Sequence, residues 1–140
     1  VIVTIIVCVD DNNGMLFHNR RQSRDSVLYK HIIEMTKGKK LFMNDYSAKL
    51  FSDEQKEHII VQSDFLEIAS ENDYCFVENT ELSNYQNNIQ EIVLYRWNRV
   101  YPADTYFQFP LDKNKWKLQK TTDIKGNSHD VITEEVYTNE

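Results

Sequence analysis

The sequence predicts an α/β fold in which a mixed β-sheet is flanked by helices. Strand-like apolar runs alternate with helical patterns in the first half, and the last third holds two alternating runs joined by a glycine turn. With 140 residues, 41% of them hydrophobic, the chain can fill one core, so we expect a single domain over residues 1–140.

The first strand is predicted over Val1–Val9, which is apolar on both faces, as a central strand would be. The segment that follows, Asp10–Gln22, is polar and contains Gly14. We expect a long loop here, and loops of this length in compact domains are often functional.

The spacing of apolar residues predicts a helix over Ser23–Lys37. Either Ser23 or Asp25 can cap its first turn, and Gly38 is placed to end it as a C′ glycine. The apolar residues at helical spacing are Val27, Leu28, Ile32 and Met35.

Short strands and turns are predicted for the middle of the chain. Thr80 can cap a helical segment over Glu81–Asn87. The predicted strands are Lys39–Asn44, His58–Ser63 and Tyr74–Glu78, with a helical turn over Tyr46–Phe51.

The last third is predicted to turn the sheet antiparallel. Glu91–Arg96 is a strand and Arg99–Phe109 is extended and aromatic, whereas Trp116–Thr122 and His129–Tyr137 form a pair around the turn Lys125–Asn127. An aromatic cluster favours core and edge packing, and any exposed part of it is a candidate partner surface. Its members are Tyr95, Trp97, Tyr101, Tyr106, Phe107, Phe109 and Trp116.

Charge and composition exclude several classes of function. A formal net charge of −6 argues against nucleic-acid binding, and the basic group Arg20, Arg21 and Arg24 is either a solvated loop or a site for a phosphate or an acidic partner. The histidines lack metal-ligand spacing, so no metal site is predicted. The abundance of Asn, Lys, Ile and Tyr is typical of AT-rich genomes, among them many phage genomes, which indicates a source and not a function.

No membrane association is expected, because Val1–Val9 is too short to span a bilayer and lacks a basic flank. With only Cys8 and Cys75, we expect a cytoplasmic protein with reduced thiols.

Several short segments indicate a relationship to a known family. Each segment alone is weak evidence, but their order and spacing together are specific. They are Ile6–Met15 (IVCVDDNNGM), His31–Asn44 (HIIEMTKGKKLFMN), His58–Ser63 (HIIVQS), Tyr101–Pro110 (YPADTYFQFP) and Lys115–Gln119 (KWKLQ). In this order they resemble the dihydrofolate reductases over nearly the whole chain. The resemblance implies that family's fold, and an activity that transfers a hydride from NADPH to dihydrofolate.

At the positions where the family binds its substrate, this chain has residues that differ from those of the active enzymes. The family's pterin-binding carboxylate falls at Leu28, which cannot exchange a proton, and its supporting threonine falls at Tyr95. Asp25, almost one helical turn earlier, is a weak candidate for the acid and is favoured as a capping residue. The resemblance places the substrate at Leu28 and Ile32, and puts Lys56 where the family holds the glutamate carboxylate.

The positions where the family binds its cofactor differ even more from the family pattern. Asp45 stands where the family has an arginine for the 2′-phosphate, and a carboxylate there repels it. Only five residues lie between Tyr85 and Glu91, so a strand, the family's twin glycines and a helix are predicted to be missing from the cofactor half. The positions that still match the family's cofactor site are Gly14, Met15, Ser47, Gln62 and Ser63.

These departures predict a protein of this fold whose reductase activity is lost or very weak, and which binds a folate-like or nucleotide ligand, a protein partner or a second copy of itself. No cofactor is expected. The alternative is a divergent active dihydrofolate reductase that uses NADPH, with Asp25 as its acid and Lys56 as its substrate anchor.

Overall fold

The computed structural model describes residues 3–109, 111 and 116–139. Within them the chain forms a large sheet, a small sheet and short helices. The strands are β1 (Val3–Val9), β2 (Gly14–Phe17), β3 (Arg20–Arg21), β4 (Leu41–Met43), β5 (Ile59–Val61), β6 (Tyr74–Phe76), β7 (Ile89–Arg96), β8 (Thr105–Tyr106), β9 (Trp116–Ile124) and β10 (Ile132–Asn139). The α-helices are α1 (Ser26–Met35), α2 (Asp45–Ala48) and α3 (Phe65–Ile68), and 3-10 helices cover Asp53–Lys56 and Ser83–Asn88.

The large sheet has seven strands in the order β5-β4-β6-β1-β7-β10-β9. Strands β5, β4, β6, β1 and β7 are parallel, whereas β10 runs antiparallel to both β7 and β9. The predicted mixed sheet is therefore confirmed. Because the carboxyl ends of the five parallel strands meet at one edge, the residues after those strands are brought together there.

Strand β1 forms the centre of the sheet and supplies both cores. Val3, Ile5 and Val7 pack on one face, and Ile6 packs on the other against α1. Each is 4% exposed or less. Full burial of such side chains contributes about 1.5–3 kcal/mol each, which explains why an uninterrupted apolar run becomes the central strand.

Helix α1 covers one face of the sheet through Leu28, Tyr29 and Ile32. Asp25 is its N-cap and accepts hydrogen bonds from the backbone N–H groups of Val27 and Leu28, as the sequence predicted. The predicted end was less accurate. The helix stops at Met35 with Thr36 as its C-cap, so Gly38, at φ 85°, belongs to the turn beyond.

The predicted loop Asp10–Gln22 is not irregular throughout. Strands β2 and β3 form within it and pair with β8 into a three-stranded sheet in the order β3-β2-β8. The helical segment predicted after Thr80 was also misplaced. The chain forms a 3-10 helix from Ser83 without a side-chain cap, because the Glu81 carboxylate accepts the N–H groups of Leu82 and Ser83 instead.

Only the 3-10 helix Ser83–Asn88 lies between β6 and β7, a stretch that is described in full. Strands β6 and β7 each pair directly with β1. The short spacing before Glu91 therefore corresponds to a connection without an additional strand or α-helix, as predicted. None of the helices described here has the length and apolarity that a membrane span requires.

Candidate functional site

The carboxyl edge of the parallel strands is where open α/β sheets usually bind ligands. Four polar or aromatic residues reach this edge: Asp10 after β1, Asn44 after β4, Glu78 shortly after β6 and Trp97 after β7. The small sheet contacts the same edge, because Gly14 of β2 donates its backbone N–H to the Asp10 carboxylate and Arg21 of β3 binds Glu78.

An ion pair between Arg21 and Glu78 fills the centre of this edge. The Arg21 Nε donates to Glu78 Oε2 at 2.9 Å, and Nη2 donates to Oε1 at 3.0 Å. The Ser47 hydroxyl donates to the same Oε1 at 2.7 Å. The Arg21 guanidinium also lies 4.2 Å from the centre of the Tyr46 ring, a cation–π contact.

On the side of Cys8 and Trp97, the space beside this ion pair is about 10 Å³. It is lined by Cys8, Met15, Arg21, Gln22, Ser23, Glu78 and Trp97. A cavity of this size accommodates about one water molecule and no organic ring. Burial raises the pKa of the Cys8 thiol, and the negative charge of Glu78 raises it further.

The helix α1 residues predicted to contact a substrate are core residues. Leu28 and Ile32 are both 0% exposed and pack in the core that also contains Ile6 and Tyr95. The Tyr95 hydroxyl donates to Glu134 Oε2 at 2.7 Å, so the position of the family's supporting threonine serves a different network. Neither Leu28 nor Ile32 presents surface to a ligand.

Asp25 joins α1 to the turn between β9 and β10. Besides capping the helix, its carboxylate accepts the backbone N–H groups of Asn127 at 2.9 Å, Ser128 at 2.9 Å and His129 at 3.1 Å. Burial alone would raise the pKa of Asp25, but these donors and the His129 side chain outweigh it and lower the pKa to about 2. Asp25 is therefore a structural anion and a poor proton donor near neutral pH, contrary to its candidacy as the acid.

Asp25, His129 and Ser23 form a linear hydrogen-bonded relay. His129 Nδ1 lies 3.1 Å from Asp25 Oδ2, and its Nε2 lies 3.0 Å from Ser23 Oγ. The Tyr101 hydroxyl also lies 3.0 Å from Nε2, and Trp97 stacks on the imidazole at 4.6 Å between ring centres. The His129 imidazole is buried and Ser23 borders the 10 Å³ space, and the relay fastens the β9–β10 turn to the sheet edge.

Asp10 organises the small sheet in a similar way. Its buried carboxylate accepts N–H groups of Asn12 and Gly14 at 2.8 Å and of Tyr101 at 3.0 Å, and the Gln22 amide at 3.1 Å. Burial alone would raise the pKa of Asp10, but these hydrogen bonds hold it below its ordinary value. A Cβ on Gly14 would lie 2.5 Å from Gln22 Nε2 and 2.7 Å from the Ala103 Cβ, so any larger residue here would displace its neighbours.

A larger cavity of about 510 Å³ lies beyond Glu78, between the β6–β7 connection and the small sheet. Its apolar wall includes Leu16, Leu82 and Phe107, all less than 9% exposed. The remaining lining residues are Met15, Asn19, Glu78, Asn79, Thr80, Glu81, Ser83, Gln86, Thr105, Tyr106, Gln108 and Phe109.

The comparisons with known proteins establish the fold. A dihydrofolate reductase from Enterococcus faecalis, solved in complex with NADP(H) and RAB-propyl, superimposes with a TM-score of 0.69 over 99% of this chain and 96% of that chain, at 12% sequence identity. The chain has the dihydrofolate reductase fold. No protein-family model and no curated protein matches the sequence.

Within this dihydrofolate reductase fold, the residues predicted for the cofactor are dispersed. Met15 lines the large cavity, and Ser47 binds Glu78 behind it. Gly14 is buried under Gln22, whereas Gln62 and Ser63 are exposed after the outermost strand β5 and are not among the cavity's lining residues.

Lys56, the predicted substrate anchor, lies on the 3-10 helix Asp53–Lys56. It is 3.9 Å from Asp53, which is fully exposed, and it is not among the lining residues of either cavity described above. Lys56 is half-buried on this turn, and its use as a substrate anchor stays a prediction.

The cavity residues do not fit NADPH. The described lining includes Glu78 and Glu81 and no lysine or arginine, and the Arg21 guanidinium is already bound to Glu78. Asp45 occupies the first turn of α2, where the resemblance places an arginine. Cationic side chains or free backbone N–H groups bind the phosphates of a dinucleotide, whereas carboxylates repel them. The arrangement can hold a ligand, but it offers neither a proton donor at Leu28 nor a cationic phosphate site.

The residues that define this edge were largely missed from the sequence. The sequence predicts Arg21 only as part of a basic group and Glu78 only as the end of a strand. Their association depends on a contact over 57 sequence positions, which no local pattern indicates.

Proposed function

We propose that this protein has the dihydrofolate reductase fold without the reductase activity, and that it acts as a binding module. The observation that carries the proposal is the Arg21–Glu78 ion pair, which leaves about 10 Å³ between itself and the residues Cys8 and Trp97. A pterin ring cannot enter that space.

The lack of a residue that can deliver a proton to the substrate supports the same proposal. Leu28 has no ionisable group and no exposed surface. Asp25 is held as a carboxylate by a pKa of about 2 and by its backbone donors. Reducing dihydrofolate requires a proton as well as a hydride, and neither residue can supply one near neutral pH.

The large cavity supports ligand binding. Its volume of about 510 Å³ lies within the range of roughly 300–1,000 Å³ that is usual for small-molecule sites. A homodimer through the edge strand β9 has less support, because Lys117, Lys120 and Asp123 lie along that edge and such charges oppose strand addition. The proposed binding function also includes a protein partner that binds at the mouth of the cavity.

A cytoplasmic setting is part of the same proposal. Cys8 and Cys75 are the only cysteines of the chain and they are not paired with each other. A reducing compartment suits such thiols.

The test is an NADPH-oxidation assay with dihydrofolate at micromolar protein. We expect no turnover above the protein-free background. Turnover that Asp25→Asn abolishes and that Lys56→Gln weakens would establish the divergent active reductase instead. Calorimetric titration with NADPH and with folate separates binding from catalysis, and we expect no heat of binding for NADPH.

A further inference from the structure

The backbone groups that could bind a phosphate in the large cavity are already occupied by a side chain of this protein. Glu81 Oε1 accepts the N–H groups of Leu82 and Ser83, both at 3.1 Å. These amides begin the turn that leads into the 3-10 helix Ser83–Asn88. An anionic ligand would have to displace the Glu81 carboxylate from them and would be repelled by it.

The charges around the cavity have one predominant sign. Glu81 is exposed at the rim, and no lysine or arginine is among the described lining residues. The charge of Glu78 is offset by Arg21, so Glu81 is the lining carboxylate that has no basic partner in the described part of the chain. Asp104 adds a further carboxylate beside the lining residue Thr105.

The apolar wall is suited to an aromatic ring. Phe107 and Phe109 lie nearly parallel, with ring centres 6.1 Å apart and planes inclined by 11°. Leu16 and Leu82 complete a buried wall, and the half-buried Met15 borders it. Aromatic faces also attract cations, by about 0.5–1 kcal/mol at exposed sites.

From these contacts we propose that the cavity binds a small cationic aromatic molecule, namely a protonated amine attached to a ring, and not a dinucleotide phosphate. The ring would lie on the wall of Leu82, Phe107 and Phe109, and the ammonium group would face Glu81. The inference rests on the proposed function, because it takes the cavity to be a binding site separate from the closed centre of the sheet edge.

A pair of probes that differ in the sign of their charge tests the inference. Tryptamine and indole-3-propionate carry the same ring on similar chains, one as a cation and the other as an anion. Binding is followed by NMR shifts of the Met15 and Leu82 methyl groups and by calorimetry. We expect tryptamine to bind about 10-fold more tightly, because Glu81 attracts the ammonium group and repels the carboxylate in a largely solvated site.

Two matched variants assign that preference to a residue. Glu81→Gln keeps an oxygen for the N–H groups of Leu82 and Ser83 but removes the charge, and we expect the preference to fall to about 2-fold. Glu71→Gln is the control, because Glu71 is exposed before β6, at the opposite end of that strand, and it should leave the preference unchanged.

Three results would overturn the inference: equal affinity for both indoles, no methyl shift with either at millimolar concentration, or NADPH competing with tryptamine for the same methyl groups. These results are distinct from failure of the proposed function, which is reductase turnover whatever the indoles do. A chain without turnover that also fails to discriminate between the indoles rejects the ligand class alone.

Discussion

The guanidinium of Arg21 donates two hydrogen bonds, of 2.9 Å and 3.0 Å, to the carboxylate of Glu78. The pair lies at the sheet edge where strands β1 and β6 end. Their side chains are only 19% and 9% exposed. Paired bonds of this kind fix orientation as well as charge. The same contact therefore ties the small sheet to the carboxyl edge of the large one.

We expect Arg21→Met to lower the free energy of unfolding by about 3 kcal/mol, because it leaves the Glu78 carboxylate poorly solvated and without its cation. Urea denaturation measures the change. The double variant Arg21→Met/Glu78→Leu should recover most of it, since neither charge remains. Lys56→Met is the control and should change stability little, because its partner Asp53 is fully exposed. A loss no larger than that of Lys56→Met would contradict the structural role of the ion pair.

The reactivity of the Cys8 thiol tests how closely the residues beside the Arg21–Glu78 ion pair are packed. In the native protein we expect both cysteines to resist a disulfide reagent at pH 8, because burial raises the pKa of Cys8 and raises that of Cys75 to about 12. Glu78→Ala removes both volume and negative charge beside Cys8, so its pKa should fall and its labelling should accelerate by about 10-fold or more. Mass spectrometry assigns the labelled residue.

Cys75 serves as the internal control for this labelling, because it is 0% exposed within the core and is not among the residues that line the space beside Glu78. Equal acceleration of Cys8 and Cys75 would indicate general unfolding and not a local opening.

Much of the fold could be predicted because it depends on local patterns. The apolar run of β1 and the cap at Asp25 follow from nearest neighbours, and the turn Lys125–Asn127 falls between β9 and β10 as expected. Strands β2 and β3 were missed because they have four and two residues, too few to show a period. Their stability comes from Asp10, whose donors include the distant Tyr101.

The site was harder to predict for the same physical reason. A leucine at the position of the acid was visible in the sequence, but the closure of the pocket was not, because Arg21 and Glu78 meet only in three dimensions. Likewise, His129 has no partner nearby in sequence, and its relay to Asp25 spans 104 positions. Glu81 illustrates a competition between side chains, since its carboxylate takes the N–H groups that a Thr80 cap would have used.

The carboxylate of Asp25 should make stability depend on acid pH. Its pKa is about 2 in the folded protein against an ordinary 3.8, so the ionised form stabilises the fold. The contribution of roughly 2 kcal/mol is complete above about pH 5 and is lost as the pH falls through 4 towards 2. Urea denaturation at several pH values should show this slope.

Asp25→Asn should flatten that slope without removing it, because Asp10 also has a lowered pKa and acts in the same direction. At pH 7 the variant should be less stable by about 1–3 kcal/mol, since the amide is a weaker acceptor for the turn Asn127–His129 and presents a donor to it. An unchanged acid slope would mean that the carboxylate is not held as the contacts indicate.

Restoring an acid at Leu28 should not restore reduction. Leu28 is 0% exposed beside Ile6 and Tyr95, so Leu28→Asp buries a carboxylate without a cationic partner and should destabilise the fold by more than about 3 kcal/mol at pH 7. Leu28→Asn is the matched control of equal size. Burial raises the pKa of an aspartate, so the two variants should differ in stability at pH 7 and converge near pH 4, where the aspartate becomes neutral. Urea denaturation at both pH values, with NADPH oxidation measured in parallel, tests this. If Leu28→Asp were as stable as Leu28→Asn at pH 7 and reduced dihydrofolate, the sheet edge would be open enough for catalysis and the proposed closure of that edge would be wrong.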